Sequence, residues 1–137
     1  MQNISKKIFF ILLLIGTVSC VNKDETGLDP AQNTDPQEYY QELNISYGAD
    51  SDQIFDIYLP ANRTKNTNVV ILIHGGGWTS GDKTDMNGFK DYILGNIANT
   101  AVVNINYRLA DDTTQAYPMQ INDITTVVNY LKTRQNQ

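Results

Sequence analysis

A histidine, three glycines and a tryptophan follow directly after the apolar run Val69–Ile73, as His74-Gly75-Gly76-Gly77-Trp78. Glycine has no side chain and adopts backbone angles that other residues avoid, so the amides of this loop can converge on one point. Converging N–H donors at the end of a strand could stabilise an oxyanion during acyl transfer, an effect worth about 3 kcal/mol per donor. A tight strand-to-loop turn would use the same glycines. A phosphate-binding loop is a further alternative, although no Gly-Lys-Ser/Thr ending follows.

The counts of reactive residues restrict the chemistry that these 137 residues can perform. A single histidine and a single cysteine exclude a His-rich metal site and an internal disulfide, and any Ser-His-Asp arrangement would have to use His74. None of the serines stands in a Gly-x-Ser-x-Gly pattern: Ser5, Ser19, Ser46, Ser51, Ser80. The formal net charge of −5 argues against nucleic acid as a partner. We expect no metal and no cofactor.

The elements that must position the glycine loop are those of an α/β domain. Two alternating segments, 42–47 and 54–59, flank a turn-rich stretch and predict an antiparallel hairpin. Two apolar runs, 69–73 and 101–107, predict interior strands, and the helical spacing of apolar residues between them predicts a right-handed crossover and a parallel pair. That helical stripe consists of Phe89, Tyr92, Ile93 and Ile97. A second helix is predicted to open at Pro118, with a stripe of Ile121, Ile124, Val128 and Leu131.

Four segments in this order resemble α/β-hydrolase esterases and lipases. The glycine loop, with Ser80-Gly81-Asp82-Lys83 after it, is similar to their HGGG-type oxyanion loop. The other three matching segments are Asp56-Ile57-Tyr58-Leu59-Pro60, Asn106-Tyr107-Arg108-Leu109-Ala110, and Tyr117-Pro118 with Asp123. The resemblance covers residues 42–137. It implies an incomplete α/β-hydrolase fold: an N-terminal hairpin, then β-α-β-α of the parallel sheet.

The resemblance also implies roles for individual residues. Gly76 and Gly77 would supply the oxyanion-hole amides, and Gly75 would hold the bend. His74 would orient the loop and would not be the catalytic base, because the triad order of this family is serine, acid, histidine. Trp78 would form a wall of the acyl or alcohol pocket, with core packing as the alternative.

Two charged residues complete the set that the resemblance suggests. Arg108 and Asp123 would form a structural ion pair beneath the site, with a solvated arginine as the alternative. In the family's sheet the strand 69–73 lies between 101–107 and the nucleophile strand. We therefore expect this chain to lack the nucleophile, acid and base, and to leave one edge of strand 69–73 unpaired.

The N-terminus resembles a bacterial lipoprotein signal. Lys6 and Lys7 precede the apolar run Ile8–Val18, whose length of about 11 residues falls short of the roughly 20 that span a bilayer. The segment Thr17-Val18-Ser19-Cys20 is similar to a lipobox, which implies lipidation of Cys20, although Thr17 leaves ordinary signal-peptidase cleavage open. We thus divide the chain into a signal peptide (1–20), a flexible tether (21–40) and a hydrolase segment (41–137). The expected location is the bacterial cell envelope, with export to the cell surface open.

The leading hypothesis is a secreted, membrane-anchored carboxylic-ester hydrolase represented by an incomplete chain. The resemblance implies serine attack, a covalent acyl-enzyme and release by water. The expected substrate is a small ester, with an acylated carbohydrate as one candidate. A formamide hydrolase or a peptidase with the same front half is an enzymatic alternative. A non-catalytic lipoprotein that keeps the half-fold as a binding or vestigial module is the alternative from another class.

Overall fold

The computed structural model describes residues 35–134, which form one sheet with a helix on each face. Its elements are β1 (Tyr40–Ser46), β2 (Ile54–Leu59), β3 (Asn68–Ile73), α1 (Asn87–Asn96), β4 (Thr100–Ile105) and α2 (Met119–Thr133), with a 3₁₀ turn at Lys83–Met86 before α1. The predicted signal peptide, Cys20 and residues 21–34 of the predicted tether lie outside the described residues.

The strand order is β1-β2-β4-β3. β1 and β2 form the predicted antiparallel hairpin, and β3 and β4 form the predicted parallel pair. β2 also pairs with β4 in antiparallel fashion, with Asp56 opposite Asn104, so the sheet is mixed. Every residue of β4 is buried, because it is a central strand covered on both faces. The sheet therefore places the residues after β3 beside those after β4.

Two apolar clusters lie on opposite faces of the sheet, because neighbouring residues of a strand point to opposite sides. Val103 and Ile105 pack with Val127 of α2, whereas Val102 packs with Tyr58 and Leu72 on the side of α1. The partly buried residues packed against the second cluster include Met86, Ile93 and Leu94.

The predicted helical stripes agree with the buried faces in part, because Ile93 of α1 and Ile124 and Leu131 of α2 pack against the core. Phe89 and Tyr92 of α1 are 63% and 64% exposed, because α1 turns Ile93 and Leu94 to the sheet. The buried positions of α2 are Gln120, Asp123 and Val127, whereas the predicted stripe residue Ile121 is exposed. Asp123 accepts a hydrogen bond from the Arg108 amide and Gln120 donates one to the Arg108 carbonyl, so this polar side of α2 is buried as well.

β3 forms an edge of the sheet in the part of the chain that the structure describes. It pairs with β4 alone, and Val69 is 55% exposed. A groove of about 240 Å³ runs between β3 and α2, lined by Val69, Ile71, Val128, Leu131 and Lys132. The unpaired edge agrees with the expectation from the sequence. Between residues 35 and 134, no helix combines the length and apolarity needed to cross a membrane.

Candidate active site: the glycine loop after β3

The glycine loop begins at His74, at the carboxyl end of β3, and bends through left-handed backbone angles. The φ angles are 109° at Gly76, 61° at Gly77, 68° at Trp78 and 103° at Gly81. Gly75, which the resemblance assigned to the bend, has no positive φ. The left-handed backbone therefore begins one residue later, at Gly76.

Two of the glycines are also required by close packing. A Cβ atom at Gly76 would collide with the carbonyl of Ser80, and one at Gly81 would collide with the His74 ring and the Gly75 carbonyl. Gly77 has open space around its Cβ position, so only its φ angle favours glycine there. The tight contact at Gly76 arises because the amides of Thr79 and Ser80 both donate to the Gly76 carbonyl, at 3.2 Å.

The amides of Gly76 and Gly77 take no part in the hydrogen bonds among residues 35–134. The bonds that close the loop use the Gly76 carbonyl instead, which also accepts from the Ser80 hydroxyl at 3.1 Å. Both glycines are exposed. Two adjacent N–H donors thus remain available to an external acceptor at the carboxyl end of β3, which is the arrangement that oxyanion stabilisation requires.

His74 lies beneath the loop, almost fully buried. Its ring stacks on Tyr107 with 4.3 Å between ring centroids and 8° between planes, and Nδ1 donates to the Gly75 carbonyl at 2.7 Å. The Tyr107 hydroxyl donates to the His74 carbonyl at 2.9 Å. Nε2 is buried and has no hydrogen-bond partner among the described residues. These contacts orient the loop and leave the imidazole closed to solvent.

Trp78 is the partly exposed residue of the loop, with 39% of its surface accessible. A positive φ is unfavourable for an aromatic residue, so the surrounding contacts must hold it. One such contact is the bond from the Ala110 amide to the Trp78 carbonyl, at 2.8 Å. The exposure speaks against the core-packing alternative. Trp78 directly follows Gly77 and flanks the two glycine amides.

Arg108 and Asp123 connect the segment after β4 to α2. The guanidinium lies 2.6 Å from the Asp123 carboxylate, which is 1% exposed, and the Arg108 amide donates to the same carboxylate at 3.0 Å. Gln53 adds a bond of 2.9 Å. Burial acts to raise the pKa of Asp123, but the hydrogen bonds from Arg108 and Gln53 outweigh it and lower the pKa. Asp123 is therefore held as a carboxylate. It fixes Arg108, two residues before Ala110, whose amide binds the Trp78 carbonyl.

The far end of the loop is fixed by a buried polar network. Lys83 pairs with Asp56 at 2.7 Å, and its backbone is bound by the side chains of Asn104 and Asn106. Asp82 accepts hydrogen bonds from Asn106 and from the Thr84 amide, which lower the pKa of Asp82 to about 2. The sequence analysis assigned no role to these residues.

One signal in the sequence could have revealed this network. Asn104 and Asn106 alternate with Val103 and Ile105 in a predicted interior strand, where a buried amide side chain requires a partner. The partners of the two asparagines are the groups of Asp82 and Lys83 at the end of the loop. No three His, Cys, Asp or Glu side chains within residues 35–134 form a cluster able to hold a metal ion.

Comparison with known proteins places this geometry in a family. Residues 55–137, more than half of the chain, match the family BD-FAE. The chain belongs to the BD-FAE family. The match begins in β2 and includes the glycine loop, β4 and α2. A comparison with curated protein sequences gives no match.

Solved structures similar to this BD-FAE chain are esterases. Esterase B from Lactobacillus rhamnosis is 31% identical, with a TM-score of 0.58 over 76% of this chain and 33% of its own. A bifunctional GH43-CE protein from Bacteroides eggerthii is 30% identical, with a TM-score of 0.57 over 68% of this chain and 12% of its own. A truncated carbohydrate esterase from gut microbiota is 22% identical, with a TM-score of 0.59 over 75% and 36%, and shares the fold.

The chain spans about a third of the length of esterase B and of the gut carbohydrate esterase. Its mixed sheet with few helices matches part of their α/β-hydrolase fold, so the predicted fold class is confirmed. The fold of this BD-FAE chain is thus shared with solved structures that are themselves esterases of the α/β-hydrolase class.

Proposed function

We propose that this chain supplies the oxyanion-stabilising loop of a carboxylic-ester hydrolase. The observation that carries the proposal is the pair of amides at Gly76 and Gly77, which donate no hydrogen bond among the described residues, in a loop closed at the carboxyl end of β3 by bonds to the Gly76 carbonyl. An ester carbonyl oxygen gains negative charge when a nucleophile attacks it. Two N–H donors already fixed in place stabilise that charge without reorganising during the reaction.

The serine nucleophile, the acid and the base come from residues outside these 137 in this proposal. Ser80 donates its hydroxyl to the Gly76 carbonyl at 3.1 Å, and no base lies beside it in the contacts of the described residues. His74 is buried, with Nδ1 engaged by the Gly75 carbonyl. Both residues serve the loop's shape, so neither suits attack or proton transfer on a substrate.

The substrate that we propose is a small ester, with an acyl or acetyl group on a carbohydrate as the leading candidate. Support comes from relatives described as a carbohydrate esterase and as a GH43-CE protein. The exposed ring of Trp78 beside the free amides is suited to cover a sugar or acyl face. No cofactor is required, because the charge is stabilised by backbone groups.

Hydrolysis of p-nitrophenyl acetate and of acetylated xylo-oligosaccharides by the full-length protein tests this proposal. We expect release of acetate from both and a covalent adduct with a fluorophosphonate probe, which reacts with an activated serine. Residues 21–137 alone are expected to release no more acetate than buffer. Lack of hydrolysis and of labelling by the folded full-length protein would favour a non-catalytic lipoprotein instead.

We also propose that Cys20 carries a lipid that anchors the protein in the bacterial cell envelope. The lipobox-like segment before Cys20 supports this, and two or three acyl chains would bind a membrane firmly, at about 0.8 kcal/mol per buried methylene. Cells given radioactive palmitate should label the wild-type protein in the membrane fraction and leave Cys20→Ala unlabelled. Equal labelling of the two would refute lipidation at this residue.

A further inference from the structure

Lys83 and Asp56 form an ion pair that is buried next to the end of the glycine loop. The ammonium lies 2.8 and 2.7 Å from the two carboxylate oxygens, and the two side chains are only 9% and 8% exposed. Removing two charges from water carries a desolvation cost that their attraction often fails to exceed. A buried pair is therefore weak evidence for a gain in stability. The contacts of its two residues suggest instead that it positions the end of the glycine loop.

Asp56 is held rigidly within the sheet. It lies on β2 opposite Asn104 of the central strand β4, and its Oδ1 accepts a hydrogen bond of 2.8 Å from the Asn44 amide of β1. This bond falls where the β1–β2 register shifts, between Glu42 and Ile45. The carboxylate therefore has its position set by β1 and β2 together, and it provides a fixed point for the lysine.

Lys83 is fixed through its backbone as well as its side chain. Its amide donates to the Asn106 side chain at 2.5 Å, and its carbonyl accepts from the Asn104 side chain at 2.7 Å. The two asparagine side chains bind the backbone of Lys83, whereas Asp56 of β2 binds its ammonium group. The ion pair thus adds a contact with β2 to the bonds that the two asparagines make with the Lys83 backbone.

The segment that joins His74 to Lys83 through the glycine loop is short and restrained by its own contacts. Only eight residues separate His74, which stacks on Tyr107, from Lys83, and within them Gly81 packs against the His74 ring. The Ser80 amide is bonded to the Gly76 carbonyl at 3.2 Å. A shift of Lys83 is therefore transmitted through Gly81 and Ser80 to the peptide units of Gly76 and Gly77.

We infer that Lys83 is a positioning residue whose ion pair with Asp56 sets the direction of the Gly76 and Gly77 amides. The expected effect on catalysis rests on the proposed function, whereas the effect on the position of the loop does not depend on it. Lys83 touches neither the substrate nor the free amides. It acts by fixing the end of the loop.

The test uses the full-length protein with three variants: Lys83→Met, Lys83→Arg, and the double variant Lys83→Met with Asp56→Asn, which keeps an oxygen acceptor for the Asn44 amide. The double variant leaves no unpaired buried charge, so it should fold even where Lys83→Met does not. Hydrogen exchange is measured by mass spectrometry on peptides covering 78–86, where the amides of Thr79, Ser80 and Thr84 are hydrogen-bonded. Lys65→Met, at an exposed lysine, is the matched control.

We expect exchange in 78–86 to accelerate by about tenfold or more in Lys83→Met and in the double variant, with β2 peptides unchanged in the double variant. Hydrolysis should lose about 10²-fold in kcat with KM little changed, because a small misplacement of catalytic donors has that effect. Lys83→Arg should recover part of both losses. The control should match wild type.

Two outcomes would overturn the inference. One is wild-type exchange in 78–86 for the double variant. The other is a loss of kcat in Lys83→Met that disappears when the double variant restores stability, since that pattern would indicate stability alone. A protein that hydrolyses no ester, yet shows the accelerated exchange, would refute the proposed function and retain the positioning role.

Discussion

The two halves of the glycine loop differ in almost every physical respect. The open half, residues 75–78, has three positive φ angles in a row, and none of its four amides has an acceptor among the described residues. In the anchored half, residues 79–85, the amides of Thr79, Ser80, Asp82, Lys83, Thr84 and Asp85 are all hydrogen-bonded, and Lys83 forms the buried pair with Asp56.

The difference teaches how free donors can persist in a folded protein. A strained backbone with unpaired amides remains in place only when the surrounding structure over-determines it. Here the anchored half, the His74–Tyr107 stack and the bond from Ala110 to Trp78 supply that restraint. Variants that damage one half and spare the other should therefore separate catalysis from stability.

The largest effect is expected in the open half, from Gly76→Val. Its side chain would collide with the Ser80 carbonyl, and a β-branched residue is strongly disfavoured at a φ of 109°. We expect kcat for p-nitrophenyl acetate to fall by about 10²- to 10³-fold in the full-length protein, as loss of an oxyanion donor does. Gly88→Ala, at a glycine of α1 with open space, serves as control. Unchanged turnover in folded Gly76→Val would show that these amides stabilise no oxyanion.

A stability effect is expected from Arg108→Met, which leaves Asp123 buried without its cation. We expect a loss of about 2 kcal/mol in the free energy of unfolding, below the 3–5 kcal/mol of fully buried pairs because the Arg108 side chain is 34% exposed. Urea titration of the full-length protein measures it. Asp123→Asn in the same background should recover part of the loss, and failure to do so would assign the effect to lost packing.

A smaller effect is expected from His74→Ala, which removes the stack on Tyr107 and the contact with Gly81. We expect a loss of about 1–2 kcal/mol in stability, typical of a buried aromatic contact and a lost hydrogen bond. Turnover should fall while its pH profile keeps the shape of the wild-type profile. A profile that loses its basic group would instead make His74 the general base.

The smallest effect is expected at low pH from Asp82→Asn in the anchored half. Hydrogen bonds from Asn106 and Thr84 lower the pKa of Asp82 to about 2, below its ordinary value of 3.8. The carboxylate therefore stabilises the fold above about pH 4, and this contribution disappears as the pH falls toward 2. The variant should be less stable than wild type at pH 5 by under about 1 kcal/mol, and equal to it near pH 2. A difference that persists at pH 2 would exclude the carboxylate's charge as the cause.

The sequence predicted the parts of the site that local pattern determines. Three glycines after an apolar strand indicated a loop with unusual backbone angles, and the strand-helix-strand spacing indicated the parallel pair of β3 and β4. The burial of Lys83 could not be predicted in this way, because a lysine between Asp82 and Thr84 has the pattern of a solvated turn. Its partner Asp56 is distant in sequence, so the pair exists only once the sheet has formed.

The predicted face of α2 was correct for Ile124 and Leu131, which pack against the core, and wrong for Ile121, for a related reason. Apolar spacing favoured burial of Ile121, but the polar residues Gln120 and Asp123 are buried instead. Asp123 accepts from the Arg108 amide, and Gln120 donates to the Arg108 carbonyl. Hydrophobic periodicity detects only apolar residues, so it does not predict that a helix buries polar residues that form an ion pair or hydrogen bonds.

The position of β4 has a consequence for how the protein tolerates change. Val103 and Ile105 fill the core, while the alternate residues Asn104 and Asn106 bind the end of the glycine loop. A saturation scan selected for solubility should therefore accept substitutions at Asn106 that a scan selected for ester hydrolysis rejects. At Val103 both scans should give the same answer. Comparing the two selections at residues 103–106 would separate the positions that the fold requires from those that ester hydrolysis requires.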